Sequence, residues 1–234
     1  GSTAIDPIRA IGEICRQHGL WYHIDAAYAG TALLLEEMRW MSDGVELADS
    51  FVFNPHKWLL TNFDCSAYFV KDPAALVQTF EILPEYLRTA EADRVNNYRD
   101  WGLQLGRRFR ALKLWFVIRS YGVNGLRAIV RNHIDMAQSL RKVIADDDAF
   151  ELPAPSPVNL LCFRYHPTGI DDPNQLDQLN ERLLERINAT GEAYLTHTRL
   201  DDRYTIRMVI GARAVTQDDV MATWALIKKI SAEL

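Results

Sequence analysis

The chain has 234 residues, 48% of them hydrophobic, so it can bury a sizeable core in one large domain or in one and a half ordinary ones. Its net charge of −5, without a long run of lysine or arginine, excludes a general nucleic-acid binder. Three cysteines without a CxxC spacing predict neither a zinc site nor a disulfide framework. With no signal peptide and no apolar run of membrane length, we expect a soluble, cytoplasmic protein.

The first part of the chain predicts alternating helices and strands. Asp6-Pro7 is typical of a helix start, Gly19 of a helix end, and residues 20–25 of a short apolar strand. The alternation continues in three further segments, a helix at 33–41 and strands at 48–53 and 66–70. Continuous apolar strands separated by helices are typical of an α/β fold with a largely parallel sheet.

The middle of the chain is predicted as a loop followed by two helices. Residues 81–98 are polar and lack periodicity, which predicts a long loop of the kind that often carries function. Residues 101–120 and 125–145 show helical spacing of apolar side chains, with a break at Tyr121-Gly122 between them.

The last part of the chain is predicted as a small α+β domain. The composition changes at Asp146–Asp148 and at the proline-rich residues 153–157. Beyond them we predict a strand at 158–164, a helix at 173–188, strands at 193–198 and 204–210, and a helix at 217–232. The expected division is therefore a large-domain part at 1–120, a connecting helix at 121–148 and a small domain at 149–234.

Lys57 and Asp25 are the residues most suggestive of chemistry. Each follows or ends an apolar strand, and the carboxyl ends of strands are where open α/β sheets bind ligands. Enzymes that use pyridoxal 5'-phosphate (PLP) need a lysine for a Schiff base and an acid for the pyridinium nitrogen. A desolvated lysine also has a lowered pKa, which makes its amine nucleophilic.

Both residues have simpler interpretations. Lys57 could be a surface lysine lying on Trp58, and Asp25 could be a turn aspartate. The neighbours of Lys57 favour the functional alternative, because Asn54 and His56 can both donate hydrogen bonds to a phosphate. The small residues after Asp25 would let a flat ring approach the backbone.

Three segments, His23–Gly30, Asn54–Trp58 and Asn62–Ser66, resemble the group II PLP-dependent amino acid decarboxylases, in particular the aromatic-L-amino-acid branch. The match continues through Tyr98-Arg99 and Leu105–Lys113 and covers essentially the whole chain. It implies the aspartate-aminotransferase-like fold (fold type I), with this chain as the C-terminal half: part of the PLP-binding large domain and the small domain. It further implies PLP as cofactor, an L-amino acid substrate, expected to be aromatic, and a homodimer in the full-length form.

The resemblance also assigns roles to single residues. It implies that Lys57 forms the Schiff base with PLP and that Asp25 pairs with the pyridine nitrogen. Ala27 would pack against the cofactor ring, while Asn54 and His56 would contribute to the phosphate site.

Tyr86 is the third catalytic candidate that the resemblance implies. In the family, a tyrosine at this place lies on a mobile loop that closes over the partner subunit's site and protonates the substrate carbon after carbon dioxide leaves. Related aldehyde synthases have phenylalanine there and carry out oxygen-dependent deamination. A hydroxyl can deliver a proton and a phenyl ring cannot, so Tyr86 favours simple decarboxylation.

Two alternatives remain open from the sequence. The same scaffold could support an aldehyde synthase, or the chain could be a non-catalytic, truncated remnant that serves only as an interaction piece. The presence of Lys57, Asp25 and Tyr86 together favours a PLP-dependent carboxy-lyase.

Overall fold

The structure is a computed structural model that describes residues 1–81 and 95–234. The described residues form two compact units. One unit comprises residues 7–33 and 39–122, and the other comprises residues 1–6, 34–38 and 123–234. The predicted boundaries at residues 120 and 148 stay a prediction.

A three-stranded sheet organises the first unit. Helix α1 (Ile8–His18) ends at Gly19 and leads into β1 (His23–Asp25), which pairs in parallel with β2 (Ser50–Phe53). Strand β3 (Ala67–Val70) pairs with the other side of β2, giving the order β1-β2-β3.

The direction of β3 departs from the predicted, largely parallel sheet. It is antiparallel to β2, with Phe53 opposite Ala67. His56 lies just after β2 and Cys65 lies just before β3, and the His56 N–H donates to the Cys65 carbonyl at 3.3 Å. The connection therefore begins and ends beside the carboxyl end of β2. The chain therefore enters β3 from the edge at which β2 ends, and an antiparallel pair is the only outcome of such a short return.

The helix predicted at 33–41 is instead a series of 3-10 turns, Ala29–Leu34, Glu36–Ser42 and Val45–Leu47. The spacing of the buried apolar side chains is compatible with this difference. Leu35, Met38 and Met41 are all buried and recur every three residues, which is the period of a 3-10 helix.

The two helices predicted in the middle of the chain lie within Arg110–Ala145 (α4), and the predicted break between them is confirmed by a kink at Gly122. Gly122 has φ 65° and ψ 167°, a conformation that glycine adopts without steric cost. The helix begins later than predicted, since only a short 3-10 turn, Tyr98–Trp101, precedes it. Gly102 and Gly106 lie in the non-helical stretch, and each disfavours a helix by about 1 kcal/mol relative to alanine.

The second unit contains the predicted α+β arrangement. Its four strands are β4 (Phe150–Glu151), β5 (Leu160–Tyr165), β6 (Thr196–Leu200) and β7 (Arg203–Val209). All neighbouring pairs are antiparallel, in the order β4-β5-β7-β6. Two helices, α5 (Pro173–Ala189) and α6 (Gln217–Ser231), share an apolar core with this sheet that includes Phe163, Leu183 and Ile227.

The first unit is completed by two short helices, α2 (Pro55–Trp58) and α3 (Pro73–Phe80). Across residues 1–81 and 95–234, no helix is long and apolar enough to cross a membrane. The same residues hold no group of three histidine, cysteine or acidic side chains that could bind a metal ion.

The core of the second unit generates a stability prediction. Leu183 is fully buried on α5, so Leu183→Ala leaves a cavity and is expected to lower the free energy of unfolding by about 2–5 kcal/mol. Val143→Ala, at a position 37% exposed on α4, should be neutral within about 0.5 kcal/mol. Urea denaturation followed by circular dichroism measures both. Equal losses in the two variants would contradict this assignment of the core.

Candidate active site

The predicted site residues that the structure describes, all except Tyr86, follow β1 or β2 at one edge of the β1-β2-β3 sheet. Asp25 is the last residue of β1 and lies opposite Val52, one residue before β2 ends. The pairing extends past both strands, because the Ala26 N–H donates to the Val52 carbonyl and the Asn54 N–H donates to the Ala27 carbonyl, both at 2.9 Å. Asp25 and the segment that carries Lys57 therefore leave neighbouring parallel strands at the same carboxyl edge.

Asp25 is exposed and takes part in the turn that follows β1. Its Oδ1 accepts a hydrogen bond from the Ala27 N–H at 2.9 Å. This contact fixes the carboxylate and uses one of its two oxygens, so the turn interpretation and the functional one are compatible.

The small residues after Asp25 also have a packing role. A Cβ added to Gly30 would lie 2.7 Å from the Cβ of Phe53, closer than real Cβ atoms approach one another. Gly30 therefore lets the turn after β1 pack closely against the end of β2. Sequence reasoning had assigned the small residues only to making room for a ring.

Lys57 is held by its backbone and by its neighbour. It lies on α2, where Pro55 occupies the first turn and the Lys57 N–H donates to the Asn54 carbonyl at 2.9 Å. Trp58 is buried, and its ring stacks on Tyr28 at 5.4 Å between centroids with an interplanar angle of 10°. The Lys57 side chain is exposed, so the helix is anchored through Trp58 while the amine stays accessible.

Asn54 and His56 are held by two residues to which sequence reasoning gave no role. Ser66 Oγ donates to Asn54 Oδ1 at 2.6 Å. The His56 ring contacts the backbone of Cys65, with Nδ1 at 3.0 Å from its nitrogen and 2.8 Å from its oxygen. The signal for these residues was their place in the Asn62–Ser66 motif, but the motif alone does not say what each one touches.

An ion pair joins this segment to α4. Arg110 Nε donates to Asp64 Oδ2 at 3.0 Å, and this hydrogen bond lowers the pKa of the Asp64 carboxyl. The thiol of Cys65 donates to the Arg110 carbonyl at 3.8 Å. Burial raises the pKa of this thiol, which keeps it neutral at physiological pH.

Ala27 and Tyr86 are the remaining residues that the sequence predicts at the site. Ala27 is half-buried in the turn after Asp25, where its backbone accepts from Asn54. Tyr86 lies outside the described residues, so its predicted role as proton donor stays a prediction.

The chemistry of these groups suits one kind of ligand. An amine and a carboxylate at one sheet edge match a ligand with an aldehyde and a basic ring nitrogen. The amide of Asn54 and the imidazole of His56 can donate hydrogen bonds to an anionic group of the same ligand. The residues present therefore fit PLP.

Comparisons with known proteins identify the family of this chain. The family model for the pyridoxal-dependent decarboxylase conserved domain matches residues 1–166. Tyrosine decarboxylase 3 of Petroselinum crispum is 43% identical over 232 residues, which are 97% of this chain and 45% of that protein. Phenylacetaldehyde synthase of a Rosa hybrid cultivar is 41% identical over 235 residues, with 97% of this chain and 46% of that protein covered.

A solved structure gives the same result. The crystal structure of Oryza sativa TDC with PLP and tryptamine matches with a TM-score of 0.95 and 38% identity, covering 100% of this chain and 49% of that one. The chain thus spans about half the length of the relatives it matches, and the predicted fold class, fold type I, is confirmed. Fold, sheet-edge chemistry and similarity agree that the chain belongs to the pyridoxal-dependent decarboxylase family, whose cofactor is PLP.

Proposed function

We propose that the complete protein is a PLP-dependent decarboxylase that converts an aromatic L-amino acid to its amine and carbon dioxide. The observation that carries this proposal is the parallel pairing of β1 and β2 in a chain of this family. That pairing brings Asp25 and the Lys57 segment to one sheet edge.

Each site residue has a role that follows from its chemistry. Lys57 would hold the cofactor through its amine, and Asp25 would keep the cofactor's ring nitrogen protonated. Ala27, with a single methyl group, would lie against the ring. Asn54 and His56 would donate hydrogen bonds to the phosphate. PLP, when bound, supplies an electron sink for the substrate's α-carbon.

The reaction needs one bond to break and one proton to arrive. The bond between the α-carbon and the carboxyl carbon breaks, and the carboxylate leaves as carbon dioxide. A proton must then reach the α-carbon, and the phenol of Tyr86 is the donor that we propose. PLP by itself does not select the product. Rapid protonation of the α-carbon gives the amine before the oxygen-dependent reaction can compete.

The aromatic substrate class is supported by the named relatives. The Petroselinum crispum protein is named a tyrosine decarboxylase, and the Oryza sativa structure holds tryptamine, the amine of tryptophan. We further propose that the complete protein is a homodimer located in the cytoplasm, with Tyr86 serving the partner subunit's site.

A second candidate function is an aldehyde synthase on the same scaffold. It is favoured by the Rosa phenylacetaldehyde synthase, which is 41% identical, close to the 43% of the tyrosine decarboxylase. Overall similarity therefore does not separate the two reactions, and Tyr86 is the residue that favours decarboxylation. A non-catalytic remnant is the third alternative, which product formation that depends on Lys57 would exclude.

The first prediction concerns Lys57. In the complete natural gene product, supplied with PLP and a panel of L-amino acids, Lys57→Ala should reduce amine and carbon dioxide formation to background, because no other group replaces its amine. Lys71→Ala is the matched control, since Lys71 lies just after β3 and donates to the Glu46 carbonyl. It should retain full activity. A Lys57→Ala protein that still forms amine would refute the proposed enzyme.

The second prediction concerns Tyr86. Tyr86→Phe removes the proton donor, so amine formation should fall roughly 100-fold or more. Oxygen consumption, with hydrogen peroxide, ammonia and aldehyde as products, should rise in its place. Tyr194→Phe, at an exposed position in the second unit, should leave the product ratio unchanged.

The product ratio of the unaltered protein decides between the two enzymes. Amine and carbon dioxide without peroxide identify a decarboxylase. Stoichiometric peroxide and ammonia from the unaltered protein, with Tyr86 in place, would make it an aldehyde synthase.

A further inference from the structure

We infer that Asp64, Cys65 and Ser66 form a positioning segment, anchored by Arg110, that sets the direction in which Asn54 and His56 donate hydrogen bonds. The inference rests on the proposed function, in which those two side chains hold the phosphate of PLP. The three residues are consecutive: Asp64 pairs with Arg110, Cys65 contacts both His56 and the Arg110 carbonyl, and Ser66 contacts Asn54.

Ser66 determines which end of the Asn54 amide is available. Asn54 is the N-cap residue of α2, but its side chain makes no capping hydrogen bond to that helix. Its Oδ1 instead accepts from the Ser66 hydroxyl at 2.6 Å. With its oxygen occupied in this way, the amide presents its NH2 group, a pure donor, to a ligand. An anion is the ligand that such a donor favours.

Cys65 contacts Nδ1 of the His56 ring, so that Nε2 is the nitrogen that can face a ligand. When the Cys65 N–H donates to Nδ1 (3.0 Å), a neutral imidazole carries its proton on Nε2. When the ring is protonated, Nδ1–H donates to the Cys65 carbonyl (2.8 Å) and Nε2 still carries a proton. In both states Nε2 is a hydrogen-bond donor. In a third state, the neutral ring carries its proton on Nδ1 and Nε2 is an acceptor. An anionic ligand at Nε2 favours the first two states over the third.

Arg110, the first residue of α4, holds the Asp64–Ser66 segment through Asp64. Its side chain and that of Asp64 are 29% and 34% exposed, so solvent partly screens their attraction. The pair is supported by a second contact between the same two elements, from the Cys65 thiol to the Arg110 carbonyl. These two contacts fix the position of Asp64–Ser66 relative to α4. In that position Ser66 contacts Asn54 and Cys65 contacts His56.

A substitution at Ser66 tests the inference on the complete natural gene product. Ser66→Ala removes the hydroxyl and leaves the Asn54 amide free to rotate, whereas Ser66→Thr retains the hydroxyl. We expect Ser66→Ala to raise the Kd for PLP roughly 3- to 10-fold, the usual effect of one hydrogen bond, and Ser66→Thr to restore it. The 31P NMR signal of the bound cofactor should shift in Ser66→Ala alone. The melting temperature of the cofactor-free protein should not change, because Ser66 is exposed.

A double-mutant cycle tests the anchor. Asp64→Asn and Arg110→Ala should each weaken PLP binding, and the double variant should be no weaker than either single one, because both remove the same interaction. The matched control is the Arg9–Asp43 pair of the same unit, in which Arg9 donates to both Asp43 oxygens at 2.8 and 3.0 Å. Asp43→Asn should leave the Kd for PLP unchanged.

The outcomes separate this inference from the proposed function. An unaltered protein that binds PLP, with an unchanged Kd and 31P signal in Ser66→Ala, would overturn the inference alone. So would additive losses in the Asp64–Arg110 cycle. An unaltered protein that binds no PLP would overturn the proposed function and, with it, the inference.

Discussion

The parallel pairing of β1 with β2 is the constraint on which the candidate site depends. Its register places Asp25 opposite Val52, and two further backbone hydrogen bonds continue the pairing through Ala27 and Asn54. A slip of one residue would turn every side chain of β1 to the opposite face of the sheet, and Asp25 with them. Asp25 and the Lys57 segment can therefore act on one ligand only because backbone hydrogen bonds align the ends of the two strands.

The segment between β2 and β3 carries the other candidate residues at the same sheet edge. It contains α2, with Lys57 exposed and Trp58 buried, and then returns alongside α2 so that Cys65 meets His56. This return also makes β3 antiparallel to β2. One short connection thus contains Lys57, the two candidate hydrogen-bond donors to the phosphate, and the residues that contact those donors. Several side chains therefore depend on the conformation of one loop.

Similarity at the level of the whole chain identifies the family without identifying the product. A tyrosine decarboxylase and a phenylacetaldehyde synthase resemble this chain almost equally, at 43% and 41% identity. The groups that bind a cofactor and the group that delivers a proton are separate parts of such a site, and a change in the second alters the reaction without disturbing the first. The use of PLP is therefore consistent with either reaction.

The sequence by itself determined the family, the fold class and the identity of the chemical groups, because the motifs around Asp25 and Lys57 are local and highly specific. It also predicted the helices α5 and α6 and the strands β5, β6 and β7 of the second unit, but not β4, which has only two residues. Only the tertiary structure decided the direction of β3, the 3-10 turns at 29–47 and the contacts of Asp64, Cys65 and Ser66. For β3 and for these contacts, the physical reason is that they arise from hydrogen bonds between residues that are not adjacent in sequence, from His56–Cys65 to Asp64–Arg110, and no local pattern of residue types encodes which partners will meet.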